Sequence, residues 1–93
     1  PLAAIARRIQ GFDKSAEAEL YSTLLRGVSF WLRHSPTTED KLEITHDAFI
    51  VCVEAIRQNK ILDLERFPGF IVTVVRRMIQ KRRRKTIQSA RLF

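Results

Sequence analysis

The stretch Phe67-Pro68-Gly69-Phe70-Ile71-Val72-Thr73-Val74-Val75-Arg76-Arg77-Met78-Ile79 decides the fold class of this chain. Its middle, Ile71 to Val75, is rich in β-branched residues and on propensity alone suits a strand. Its apolar positions, however, do not alternate. Phe67, Phe70, Ile71, Val74, Val75, Met78 and Ile79 recur at i, i+3, i+4, i+7 and i+8, and that period outlasts the β-branched run. Pro68 suits a first helical turn, where its missing N–H breaks no bond. The stretch therefore reads as a helix with one apolar stripe, and Arg76, Arg77, Lys81, Arg83 and Arg84 occupy its remaining surface.

Upstream, the spacing predicts two more long helices. One starts near Asp13 or Ser15, either of which can cap, with Glu17 and Glu19 in the first turn. Ala16, Leu20, Leu24, Val28 and Trp31 form its stripe, Leu25 and Leu32 widen it, and Pro36 is read as its stop. The other begins between Thr38 and Asp40, where Asp40 and Glu43 resemble a capping box. Leu42, Phe49, Cys52 or Val53, and Ile56 form its apolar side, with Ile44, Ala48 and Ala55 beside them. Leu2, Ile5 and Ile9 suggest a short leading helix folded back over the core. The expected architecture is all-α: a compact three-helix bundle with an additional short N-terminal helix. Residues 1–12 form the packing N-terminal segment, 13–85 the helical domain, and 86–93 the start of a linker.

Ninety-three residues, with only three glycines and three prolines, fit one helical domain. The single cysteine, Cys52, excludes an internal disulfide, fits a reducing cytosol and reads as a small core residue. No apolar run has transmembrane length, and the opening segment, broken by Arg7 and Arg8, is not a signal peptide. The start on proline rather than methionine suggests a piece of a longer protein. Charge is unevenly placed. Residues 1–59 hold seven Lys/Arg and eight Asp/Glu, a balance of −1, whereas residues 60–93 hold ten and two, a balance of +8, which together make the net +7. A near-neutral half suited to packing or protein contact thus precedes a basic end suited to a polyanion.

Catalysis finds little to work with. Thr45, His46 and Asp47 are consecutive on a helix, diverge by about 100° each, and cannot form a relay among themselves. His34, His46 and Cys52 lack metal-ligand spacing and a fourth ligand. No glycine loop is present to cradle a phosphate. Neither an enzyme nor a cofactor or metal site is expected. The run Arg76-Arg77 followed by Lys81-Arg82-Arg83-Arg84-Lys85 can neutralise several phosphates, with a strong salt dependence. Phe67 and Phe70 precede it and could stack on bases, but both lie on the apolar stripe and are assigned to the core. A basic amphipathic helix can also rest on an anionic membrane. Against that reading, the apolar face is needed to close the core, and no exposed aromatic anchor is expected.

Taken together, Leu20-Tyr21 through Trp31-Leu32-Arg33, then Glu43-Ile44-Thr45-His46-Asp47-Ala48-Phe49-Ile50, then Phe67-Pro68-Gly69-Phe70-Ile71 leading to Val74-Val75-Arg76-Arg77-Met78 and a basic end, resemble a known pattern. It is similar to region 2 of sigma-70 transcription initiation factors of the extracytoplasmic-function group, over about two-thirds of the chain. In that family the second helix typically reads Asp-Leu-Thr-Gln-Glu-Val-Phe-Leu, and the third runs from a Phe through Trp-Leu to Ile-Ala-Arg-Asn. Here Glu43 stands for the usual Asp, His46 for Gln, Asp47 for Glu, Phe70 for Trp and Arg77 for Asn.

The resemblance implies that the second helix docks on the clamp helices of the RNA polymerase β′ subunit through Glu43, His46, Asp47 and Ile50, with Glu54, Arg57 and Gln58 beside them. It implies that the loop and third helix meet the −10 promoter element and capture an unstacked base of the non-template strand. Asn59, Lys60 and Arg66 are then candidates near the base pocket, and Arg76, Arg77, Lys81, Arg83 and Arg84 for phosphate and groove contact. It further implies a cytoplasmic protein with an anti-sigma factor as a possible partner, and no membrane insertion. The alternative is a small helical protein-interaction module with a basic tail and no sequence-specific DNA role. A membrane-surface module stands third.

Overall fold

A computed structural model of the chain describes the backbone of residues 1–34 and 38–92 and the side chains of residues 1–34 and 40–83. Its regular elements are all helical: α1 (Leu2–Gln10), α2 (Lys14–Trp31), α3 (Thr38–Arg57), a 3-10 turn (Leu64–Arg66) and α4 (Phe67–Leu92). The all-α bundle with an added N-terminal helix is thus what the chain forms. The β-branched run is helical because Val75 is buried and Ile71 and Val74 pack partly buried against the core; fully burying one large aliphatic side chain yields about 1.5–3 kcal/mol, more than the propensity penalty.

Helix α3 is the centre of the packing. Ile44, Thr45, Ala48, Cys52 and Ile56 form its buried stripe. Helices α2 and α4 each lie against α3 and make at most marginal contact with each other. Leu20, Leu24 and Val28 enter from α2, and Phe67, Val75 and Ile79 from α4, Phe67 being the largest fully buried side chain. Helix α1 is more integral than an appendage. It touches α2, α3, α4 and the 3-10 turn, and Ala6 and Ile9 are completely buried.

Two helices end in the same way. After α1, the N–H of Phe12 donates to the Ile9 carbonyl at 2.9 Å and that of Asp13 to the Arg8 carbonyl at 3.0 Å. After α3, the N–H of Asn59 donates to Ile56 at 3.2 Å and that of Lys60 to Ala55 at 2.9 Å. Both are Schellman closures, which need a left-handed residue; Phe12 (φ 63°) and Asn59 (φ 54°) supply it. Gly11, the residue suited to that role, falls one position too early and keeps a negative φ of −85°.

Several sequence expectations shift. Helix α2 starts after Asp13, whose carboxylate accepts from the Ser15 N–H, but it ends at Trp31, five residues before Pro36, which lies outside the described residues. Trp31, expected in the stripe, is 40% exposed because the last turn of α2 has run past the core. Leu42, expected to face inward, is exposed; it lies about 200° around the helix from Ile44. Thr45 takes a core place instead and satisfies its hydroxyl by donating to the Lys41 carbonyl at 2.7 Å. Asp40 sits inside the first turn of α3, not at its cap. The backbone of 86–92, expected to begin a linker, continues α4.

Candidate nucleic-acid and protein interfaces

The helical period places Glu43, His46, Asp47, Ile50 and Glu54 on one side of α3, opposite the buried stripe, and all five are exposed. Gln58, just past the helix end, is exposed as well. Phe49 at the edge of this stripe is held by an edge-on contact with Tyr21, ring centroids 5.6 Å apart. Arg57 is different. Its guanidinium lies 4.8 Å from the centre of the Phe12 ring, and one of its terminal nitrogens is 3.3 Å from Glu17. It ties α3 to α2 and to the α1–α2 corner, so its charge is already committed. Glu43 also has a partner, since it pairs with Arg82 of α4.

The expected DNA-contacting residues divide into two groups. Lys60, Arg66 and Arg77 line an open pocket of about 650 Å³ at the junction of the α3–α4 connection with α4. Ile61, Gly69, Phe70, Thr73 and Val74 complete its walls. Its lining combines apolar groups with three cations, and among the described residues no carboxylate lines it. Asp63 caps the 3-10 turn by accepting from the Glu65 N–H at 3.0 Å, and it lies 3.8 Å from the Arg66 guanidinium. Phe70, assigned to the core, serves both purposes: it stacks on Phe67 with centroids 6.5 Å apart and lines the pocket with its half-exposed side.

Asn59 stands at the left-handed corner, where its side-chain oxygen accepts from Gln10 Nε2 at 3.4 Å. Arg76 and Arg83 belong to a second groove, between the C-terminal end of α2 and α4, with Phe30, Trp31, Arg33, Ile79 and Gln80. Lys81 is exposed. The side chain of Arg84 lies outside the described residues.

Two features escaped the sequence reading. Arg82, in the middle of the basic run, turns back to Asp40 and Glu43 and is not free for a ligand. Phe30 and Trp31 form an exposed aromatic pair, and Phe12 and Leu62 are exposed too, so the expectation of no exposed aromatic anchor is corrected. The signal for Phe30 was available: it sits two residues past Val28, about 200° off the apolar stripe. Among the described residues, no group of three or more His, Cys, Asp or Glu is placed to hold a metal ion, and no helix is long and apolar enough to cross a membrane.

No protein-family model, no curated protein and no solved structure matches this chain.

Proposed function

We propose that this chain is the polymerase-binding and promoter-melting domain of a sigma-70-type initiation factor of the extracytoplasmic-function group, acting in the cytoplasm. The observation that carries this reading is the pocket of Lys60, Ile61, Arg66, Phe70, Val74 and Arg77. It occurs at the loop and helix where the sequence resemblance assigns capture of an unstacked base of the non-template strand. Its chemistry suits base capture, since apolar lining groups shelter a base and its cations meet the flanking phosphates. Extruding a base costs a few kcal/mol, which pocket burial and phosphate contacts must offset. The domain performs no covalent step, because the polymerase supplies the catalytic chemistry.

The exposed stripe Glu43, His46, Asp47, Ile50 and Glu54 is the face for the β′ clamp helices. Acidic and polar groups there would steer encounter with a basic partner and fix its register. Two measurements test the reading. A β′ clamp-helix fragment should bind saturably, Asp47→Lys should abolish that binding, and Arg77→Ala should leave it intact. The domain should also prefer single-stranded DNA to duplex, whereas a merely basic helix prefers the denser charge of duplex. A folded domain that ignores the clamp fragment at low salt and prefers duplex DNA would sink the proposal.

A further inference from the structure

The second groove has a composition of its own. Phe30 is 63% exposed and Trp31 40% exposed, side by side at the end of α2. Across from them α4 presents Arg76, Ile79, Gln80 and Arg83, and Arg33 follows from the α2 side, around a volume of about 470 Å³. The groove exists because α2 and α4 both pack on α3 and scarcely on each other. Among the described residues, three guanidinium groups line it and no carboxylate does. Arg33 is anchored in place, its carbon centre 4.4 Å from the Phe30 ring centroid and one terminal nitrogen donating to the Phe30 carbonyl at 2.9 Å.

Rings and fixed cations in one groove match a ligand that alternates planar bases with phosphates. Single-stranded nucleic acid is that ligand: bases stack on aromatic side chains without regard to sequence, and arginines track the backbone. A membrane-surface helix is built differently, with one continuous apolar face and its cations opposite. Arg76 lines this groove and Arg77 the first pocket, so one strand can pass from one to the other along α4.

We infer that the α2–α4 groove is a second contact for unpaired nucleic acid. Phe30 and Trp31 are its stacking platform, Arg33, Arg76 and Arg83 its phosphate ligands, and Gln80 a donor and acceptor for a base edge. This rests on the nucleic-acid part of the proposed function and is independent of polymerase docking.

Trp31 is the chain's only tryptophan, so its fluorescence reports on the groove alone. Oligothymidylate should quench it saturably, with the same midpoint as binding followed by anisotropy of a labelled oligonucleotide. Inorganic polyphosphate, which has charge but no bases, should leave it unquenched. Phe30→Ala, checked for folding by circular dichroism, should weaken oligonucleotide binding about ten-fold. Arg33→Ala should lower the salt dependence by about one phosphate. Oligonucleotide binding with Trp31 unmoved and Phe30→Ala unimpaired would overturn the groove while leaving the nucleic-acid reading standing. Equal quenching by polyphosphate would overturn the stacking role. Absence of any oligonucleotide binding at low salt would overturn both readings. A Trp31 shift with phosphatidylserine vesicles and none with oligonucleotide would assign the groove to a lipid surface instead.

Discussion

Arg82 on α4 reaches back to α3, donating from Nη1 to Asp40 Oδ1 at 2.6 Å, while its other terminal nitrogen pairs with Glu43. One guanidinium thus neutralises part of two carboxylates in the opening turns of the helix proposed to meet the polymerase. The pair is about one-third to one-half exposed, so its contribution is screened and stays near 1 kcal/mol or below. Arg82→Ala should lower stability by about that amount at low salt and by less at high salt. Arg83→Ala should be neutral for stability. Binding to DNA should show the reverse order: Arg83→Ala lowers the salt slope by about 1 and Arg82→Ala by less, because Arg82's charge is already compensated. Urea melts and salt-dependent binding curves check both halves.

Cys52 lies completely buried between Ala48 and Ile56 on the inner stripe of α3, and burial pushes its thiol up to about 12. The thiolate is the reactive form, so native protein should resist thiol reagents at neutral pH. Labelling should then follow opening of the bundle, and its rate should rise with urea in parallel with the loss of helical signal. Cys52→Ser should be tolerated to within about 1–2 kcal/mol, because a serine hydroxyl there can donate to the Ala48 carbonyl one turn back, as Thr45 does to Lys41. Rapid labelling of fully helical protein would contradict this placement.

Much of this architecture was legible in the sequence because it depends on the spacing of apolar residues. Leu20, Leu24 and Val28, and Phe67, Val75 and Ile79, were placed inside by period alone, and they are buried. What the period could not supply was phase near helix ends and partnership between helices. Trp31 continues the stripe of α2 but lies beyond the point where α3 covers it. Thr45 is buried because it can bond its own helix, and a hydrophobicity pattern does not register that. Arg82 and Arg83 are indistinguishable neighbours in sequence, yet only Arg82 faces the carboxylates of α3. The basic pocket is a tertiary product as well: Lys60 and Arg77 are brought together by the turn at Asn59 and the 3-10 turn after it.

Asp13 makes the α1–α2 corner sensitive to acid. Its carboxyl titrates at about 2 instead of its ordinary 3.8, chiefly because the Ser15 hydroxyl donates to it and then because Arg8 does. The Arg8 Nε lies 3.0 Å from Asp13 Oδ2, and a terminal nitrogen of Arg8 also pairs with Glu19. A folded-state value below the unfolded one means stability that is complete above about 3.8 and lost as pH falls through about 2. Asp13→Asn keeps a capping oxygen and removes the titration. Across that window the melting temperature of the parent chain should therefore fall more steeply than that of the variant. Parallel slopes would show that Asp13 contributes nothing to acid sensitivity.

Asn59 shapes the turn after α3, and a pair of substitutions separates that role from the nucleic-acid contact proposed for it. Its φ of 54° closes the Schellman motif at the end of α3, a position most side chains adopt only at a cost of about 1–2 kcal/mol. Its side-chain oxygen accepts from Gln10 Nε2 at 3.4 Å, and the next residue along the chain, Lys60, lines the pocket proposed to take a base. Asn59→Gly keeps the backbone geometry and removes the amide, whereas Asn59→Ala removes both. Stability should be almost unchanged in the glycine variant and lower by about 1 kcal/mol in the alanine variant. If the amide contacts nucleic acid, both variants should bind single-stranded DNA less tightly to a similar extent, measured where both are fully folded. Unchanged binding by the glycine variant would restrict Asn59 to shaping the turn and leave the pocket to Lys60, Arg66 and Arg77.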